Sequence, residues 1–345
     1  ALREGRRYVG RDLNRLWTEE RVRELREART PAEGGTVDDG GSVDGGPGDR
    51  DVEAAEQRAL LDALDRAVAG SSGPVYVLDL HTTSSSGGAF TTVADTLPNR
   101  TFALRLPVPL ILGLEELVDG TLLEYLGERG YVTAALESGQ HLEDRAVDRA
   151  VAGVWIAVAA AGLLPERAVP GLREARRLLA RDSRKLPRVL EMRYRHALEP
   201  GDGFRMHAGY RNFRPVEAGE PLAVQWGEEV TAPESARILM PLYQEQGEDG
   251  FFIVREFRPF WLHLSTLLRR LRLGRVVHWL PGIRRHPDRE GVLVVDRRVA
   301  RWYALQVLHL LGFRRQREHG DLLVVMRRRW DRFEPEPPEG PPGSP

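Results

Sequence analysis

The chain has 345 residues, 50 Lys and Arg against 51 Asp and Glu, a net charge of −1 and no cysteine. That balance argues against steering of the whole molecule towards nucleic acid. Without cysteine there can be no disulfide, thiolate nucleophile or cysteine metal site, which fits a reducing, cytoplasmic setting. The longest apolar stretch, around Val151 to Leu164, is too short to span a bilayer, so no membrane partner is expected.

In chain order, Asp12-Leu13-Asn14-Arg15 is read as a loop leading into a short helix predicted over Leu16 to Arg29. Residues 30–50 are poor in apolar side chains and rich in glycine and aspartate, the composition of a flexible surface loop. Apolar residues at helical spacing, among them Leu60, Leu61, Leu64 and Val68, predict a helix over Val52 to Val68. Gly73-Pro74 breaks it, and Val75 to Leu78 reads as a buried strand running into Asp79-Leu80-His81. Further elements are a strand, or strand and turn, over Leu104 to Leu112, a short helix over Leu122 to Arg129, a strand over Tyr131 to Leu136 and a helix over Asp144 to Ala161. Helices alternating with nearly all-apolar strands indicate an α/β unit, placed at residues 1–165.

Residues 166–181 form a helical connector, and residues 182–254 read as a smaller, mainly β domain. Its strands are predicted over Arg188 to His196, Gly203 to Ala208, Pro221 to Val224 and Ala236 to Leu239, between glycine and proline turns. Residues 255–330 are an arginine-rich α+β extension, with helices over Pro259 to Leu273 and Val299 to Leu311 and strands over Gly291 to Val295 and Leu322 to Val325. Its arginines make a solvated or ion-paired face, or else a surface for an anionic partner. Residues 331–345, dominated by proline, glycine and glutamate, form a disordered tail.

Three strings carry the candidate chemistry. His81 follows an apolar strand, where ligands of open α/β sheets gather, and suits a metal imidazole or a plain structural hydrogen bond. Asp79, two residues earlier, either orients that region or pairs with an arginine. Glu137 closes the apolar run Val132 to Leu136 and precedes Ser138-Gly139. A carboxylate there needs a partner, and a positioned glutamate can move protons in hydrolysis. In Asp12-Leu13-Asn14-Arg15, Arg15 can grip a carboxylate through its planar fork with Asn14 beside it, and Arg7 upstream is a second anion contact. A capped loop with surface arginines explains the same string.

Read together, Arg7-Tyr8 leading to Asp12-Leu13-Asn14-Arg15, then Asp79-Leu80-His81-Thr82-Thr83, then Glu137-Ser138-Gly139 resemble the succinylglutamate desuccinylase/aspartoacylase family, relatives of the zinc carboxypeptidases. The resemblance runs from Ala1 to about Tyr243. It implies a zinc-carboxypeptidase-like mixed sheet flanked by helices, and a zinc-dependent hydrolase cleaving the amide bond of an N-acyl amino acid. His81 would be a zinc ligand, Glu137 the general acid/base and Arg7 the group that stabilises the oxyanion. Asn14 and Arg15 would hold the carboxylate of a small amide substrate. The alternative is a catalytically inactive small-acid-binding module of the same fold.

Three departures stand out. Family members supply two further zinc ligands from an early His-x-x-Glu motif, absent before Asp12 here. The expectation is that the family's N-terminal segment, with those ligands, belongs upstream of Ala1, and that this chain alone is impaired as an enzyme. Phe251-Phe252 stand near where aspartoacylases carry a pocket tyrosine, and phenylalanine has no hydroxyl to donate. Residues 255–330 extend beyond the family core without a chemical role. Acyl group, amino acid and any homo-oligomer stay open, and nucleic acid is not expected.

Overall fold

The computed structural model describes residues 8–27, 52–114, 117–199, 201–244, 247–296, 298–300, 304–319, 322–328 and 330–331. Arg7, the loop predicted at residues 30–50 and the tail beyond Asp331 lie outside the described residues. The helices are α1 (Glu19–Glu27), α2 (Val52–Val68), α3 (Leu97–Ala103), α4 (Leu122–Gly127), α5 (Asp144–Ala160), α6 (Leu172–Arg181), α7 (Pro259–Arg270) and α8 (Ala304–Leu310).

The main sheet has eight strands in the order β1-β4-β2-β3-β5-β11-β10-β7. These are β1 (Tyr76–Thr83), β2 (Phe90–Val93), β3 (Leu110–Leu112), β4 (Val132–Gln140), β5 (Val189–Ala197), β7 (Pro215–Val216), β10 (Ala236–Leu239) and β11 (Asp249–Glu256). β1 pairs parallel with β4, and β2, β3 and β5 are parallel to one another. β4 against β2, and β5 through β11 and β10 to β7, are antiparallel. A three-stranded sheet of β6 (Arg205–Met206), β8 (Pro221–Gln225) and β9 (Glu228–Thr231) follows in the β-rich region. The C-terminal α+β region has a sheet of β12 (Ile283–Arg285), β13 (Val292–Asp296), β15 (Leu322–Arg327) and β14 (Phe313–His319), in that order. The mixed α/β sheet, the smaller β-rich region and the α+β extension are the fold class expected from the sequence.

Helix α5 shows how the sequence packs the layers. Ala152, Ile156 and Ala159 recur at helical spacing in the core that holds Leu136 of β4 and Leu179 of α6. Gly153 lets the helix come close, since a Cβ there would fall 2.2 Å from Leu136 Cδ2. Fully burying a side chain such as Leu136 or Ile156 contributes about 1.5–3 kcal/mol. Helices α1, α2 and α4 share a smaller core of Trp17, Val22, Leu25, Leu61 and Tyr125.

Several elements differ from expectation. The predicted strand over Leu104 to Leu112 is mostly turn, because α3 ends at Ala103 and only Leu110–Leu112 pair. β2 and α3 were not expected at all. β2 is four residues long, and Pro98 in α3 occupies the first turn, where its missing N–H costs nothing. The strand expected over Gly203 to Ala208 contracts to Arg205–Met206. Phe251 and Phe252 are buried in two different hydrophobic cores.

The C-terminal region is held to the α/β region by a buried charge cluster. Arg269 of α7 donates from Nη2 to Asp95 Oδ2 at 2.8 Å and from Nη1 to the Asp95 carbonyl at 2.7 Å, while Arg100 also pairs with Asp95. Burial alone would raise Asp95, but Arg100, Arg269 and Arg328 overcome it and hold the carboxyl well below the usual range. Asp331 Oδ1 accepts from the Leu97 amide at 2.9 Å, tying the chain's last described residue to α3.

Candidate active site

The parallel pairing of β1 and β4 sets Asp79 beside Ala135 and His81 beside Glu137. Alternate residues of a strand share a face, and register partners on the next strand point the same way. Asp79, His81 and Glu137 therefore leave the sheet together near the C-terminal ends of two parallel strands, the position that collects ligands in open α/β sheets. Among the described residues β1 is one of the two edge strands of this sheet.

His81 Nε2 donates to Asp79 Oδ2 at 2.9 Å. An ionised carboxylate can only accept, so Nε2 carries the proton of this bond. That arrangement is the one by which a carboxylate orients a metal-ligating histidine. Ser138 Oγ donates to the His81 carbonyl at 3.0 Å, fixing the backbone of the two strands together.

Beyond Glu137 the strand runs on to Gln140, four residues further than its apolar run suggested. Gly139 makes this passage possible: at φ +143° a Cβ would lie 2.7 Å from Arg149 Nη1 and 2.8 Å from Glu143 Oε2. Buried Arg149 donates to the Ser138 carbonyl at 3.2 Å, to Glu143 Oε2 at 2.9 Å and to Asp182. Burial disfavours its charge, but the two carboxylates win and raise its pKa above the ordinary guanidinium value.

A second imidazole was missed in the sequence. His141, four residues after Glu137, meets the Thr82 hydroxyl through Nδ1 at 2.8 Å and Gln244 Oε1 through Nε2 at 3.1 Å. Its signal was the run Glu137-Ser138-Gly139-Gln140-His141 at the end of the strand. Among the described residues no group of three or more His, Asp or Glu is placed to hold a metal ion. Zinc in a hydrolase takes three protein ligands and keeps a water position, so these residues alone do not fit it.

Asn14 and Arg15 are engaged with other segments of the chain. Asp12 Oδ1 accepts from the Asn14 amide at 3.0 Å and caps a single helical turn, Leu13–Arg15. Asn14 Oδ1 accepts from the Leu122 amide at 3.0 Å, at the start of α4. Arg15 donates from Nε to Glu248 at 3.1 Å and from Nη2 to Asp249 at 3.2 Å, and Arg195 shares Asp249. Across the sheet, Glu137 pairs with Phe90, Thr91 with Leu110, and Leu110 with Val189, the first residue of β5. Asp249 pairs with Ala197, the last residue of β5, roughly 26 Å further along that strand. Arg15 thus docks at the far end of β5, on a segment that folds back to the end of β1: Leu242 bonds the Gly250 carbonyl, Tyr243 bonds Ser84 Oγ and Gln244 meets His141. A cavity of about 1290 Å³ is lined by Met192, Arg255, Arg258, Trp261 and His309 among others.

The sequence matches no protein-family model and no curated protein. Its structure is similar to that of a succinylglutamate desuccinylase from Vibrio parahaemolyticus, at 18% identity over 74% of this chain and 68% of that one, with a TM-score of 0.42. It is also similar to a succinylglutamate desuccinylase/aspartoacylase from Rhodobacter sphaeroides, at 14% identity over 74% and 72% of the two chains, with a TM-score of 0.48. A product-bound ectoine utilisation protein EutE (DoeB) from Ruegeria pomeroyi is similar at 17% identity over 73% and 71%, with a TM-score of 0.44. The chain spans about two thirds of the length of the two Vibrio desuccinylases it is similar to, 68% and 66%. The likeness is one of fold, at low identity and over part of each chain.

Proposed function

We propose that this chain belongs to a hydrolase that cleaves the amide bond of an N-acyl amino acid or a related small carboxylate-bearing amide. The observation that carries the proposal is the shared row of His81 and Glu137, with Asp79 bonded to His81. In it Glu137 takes a proton from the attacking water and returns it to the leaving amine. Asp79 holds the His81 ring and its tautomer. Arg7 is assigned to polarising the scissile carbonyl, and Asn14 and Arg15 to the substrate carboxylate. Zinc is the proposed cofactor, with His81 one ligand and the others from outside the described residues. Residues 1–165 would form the catalytic unit, with β5, β11, β10 and β7 of the 182–254 region completing its sheet, in a cytoplasmic setting.

Release of free amine from a panel of N-acyl amino acids tests this, before and after chelation and after zinc is returned. Hydrolysis lost with chelator and restored by zinc is expected. No hydrolysis of any panel member by the zinc-loaded protein contradicts it.

Two observations favour second readings. The lack of a three-ligand group among the described residues favours a catalytically silent module that binds the same small acids. Calorimetry would then show N-acyl amino acids binding without turnover. The ion pairs of Arg15 with Glu248 and Asp249 favour a structural brace over a substrate clamp.

A further inference from the structure

Helix α7 is turned inside out. Its polar residues Ser265 and Arg269 are buried, with the Arg269 side chain at 0% exposure. Ser265 Oγ donates to the Leu310 carbonyl at 2.8 Å, and Arg269 binds Asp95 and the carbonyls of His309 and Leu310. The opposite face carries Phe260, Leu264, Leu267 and Leu271, at the i, i+4, i+7 and i+11 spacing that makes one stripe. Phe260 is 66%, Leu267 53% and Leu271 60% exposed. Two short turns, Leu273–Arg275 and Val277–Trp279, continue from the helix and leave Trp279 76% exposed. Leu262 and Leu268 pack against hydrophobic cores beside the buried polar residues, and Phe260, Leu267 and Leu271 are left facing outward. Exposed leucines and aromatics in such continuity mark a surface that meets something apolar.

The charge around the stripe identifies what that is. Between Glu256 and Asp288 the chain contains no carboxylate, while Arg258, Arg270, Arg272, Arg275, Arg284 and Arg285 fall within it. Arg258 precedes the helix and Arg272 and Arg275 follow it, all three exposed and with no ion pair among the described residues, unlike Arg255, which pairs with Glu191. A duplex or an acidic loop would satisfy the arginines but give Leu267, Leu271 and Trp279 nothing to bury against. An anionic bilayer surface satisfies both, since an amphipathic helix lies in the headgroup plane with its apolar face down and its arginines at the phosphates. At 12 residues α7 is about 18 Å long. That is well short of the ~30 Å hydrocarbon core, so the contact is peripheral.

We propose that α7 and the turns after it form a docking surface for membranes rich in anionic phospholipid, resting the protein on the bilayer through Phe260, Leu267, Leu271 and Trp279 with Arg258, Arg272 and Arg275 at the headgroups.

The test is flotation of the 345-residue chain with vesicles of equal parts phosphatidylglycerol and phosphatidylcholine, against pure phosphatidylcholine. Binding at least about tenfold tighter to the anionic vesicles is expected, weakening as salt is raised. The pair Leu267→Gln/Leu271→Gln should reduce vesicle binding at least about tenfold, and Arg272→Gln/Arg275→Gln should remove most of the preference for anionic lipid. These sites are exposed, and unchanged thermal unfolding of each variant shows that the fold is intact. Tryptophan emission should shift to the blue on vesicle binding and lose part of that shift in Trp279→Phe. No vesicle binding overturns the proposal, as does equal binding by the Leu267/Leu271 variant. Capture of duplex DNA in place of vesicles, or self-association that the same leucine variants abolish without any vesicle binding, also overturns it.

Discussion

His81 and Glu137 are register partners on adjacent parallel strands, so an imidazole and a carboxylate leave the sheet side by side on one face, about 5 Å apart at the backbone. Asp79, one pleat back on β1, holds the imidazole through Nε2. Strand direction and register together make this the point where a carboxylate and an oriented histidine meet.

Asp79→Asn keeps the size of the side chain but offers His81 a weaker, neutral acceptor. Zinc affinity of the metal-binding form should fall about tenfold or more, with Glu137 untouched. Titration against a fluorescent zinc chelator measures this. Unchanged affinity would mean that Asp79 does not orient a metal ligand.

Arg15 separates clamp from brace. Arg15→Lys keeps the charge and loses the fork that reaches Glu248 and Asp249 together. As a brace, its replacement by alanine should destabilise by about 1–2 kcal/mol and be non-additive with Asp249→Ala in a urea-unfolding cycle. As a clamp, it should instead raise KM for carboxylate-bearing substrates far more than for matched neutral amides, with the unfolding midpoint unmoved.

The interface of the C-terminal region rests on charges removed from water. Arg269→Met leaves Asp95 buried with one guanidinium fewer and should cost about 3–5 kcal/mol in denaturant unfolding. Asp95 has a depressed folded-state pKa, so its contribution is fully present above its unfolded value, about 3.9, and is lost only as pH falls through the lower folded value. The stability gap between wild type and Asp95→Asn should therefore stay constant from neutral pH to about pH 5 and close only in stronger acid. A gap that closes near neutrality would contradict the cluster.

His196 gives the opposite kind of pH response. It stacks on Phe251 at 4.9 Å between centroids and bonds Gln225 Oε1 at 2.9 Å. Burial lowers its pKa, against smaller raising effects of Gln225 and Asp202. With the folded value below the unfolded one, its stabilisation is present above about pH 6.5 and lost as pH falls through the folded value. Urea midpoints measured from about pH 7 to about pH 5 should drop more for wild type than for His196→Gln. Parallel curves would show that His196 does not titrate with folding.

What could be read in the sequence was what neighbouring residues determine. The apolar runs into Asp79-Leu80-His81 and up to Glu137 became β1 and β4, and helical spacing marked α2 and α5. Pairing across long separations was not legible. Arg269 reads as one more surface arginine until Asp95, 174 residues away, turns it inward. Arg15 reads as a free fork until Glu248 and Asp249, 233 and 234 residues away, take it. The helix α7 pattern looked ordinary because periodicity gives the stripe and not the side on which the core lies.

The most direct test of the hydrolase reading is steady-state amine release by the protein in its active, zinc-loaded form, wild type against Glu137→Gln. The glutamine keeps the shape of the side chain and cannot accept the proton. Turnover should fall at least about a hundredfold with zinc content unchanged. Turnover retained in Glu137→Gln would contradict the role given to the His81–Glu137 row.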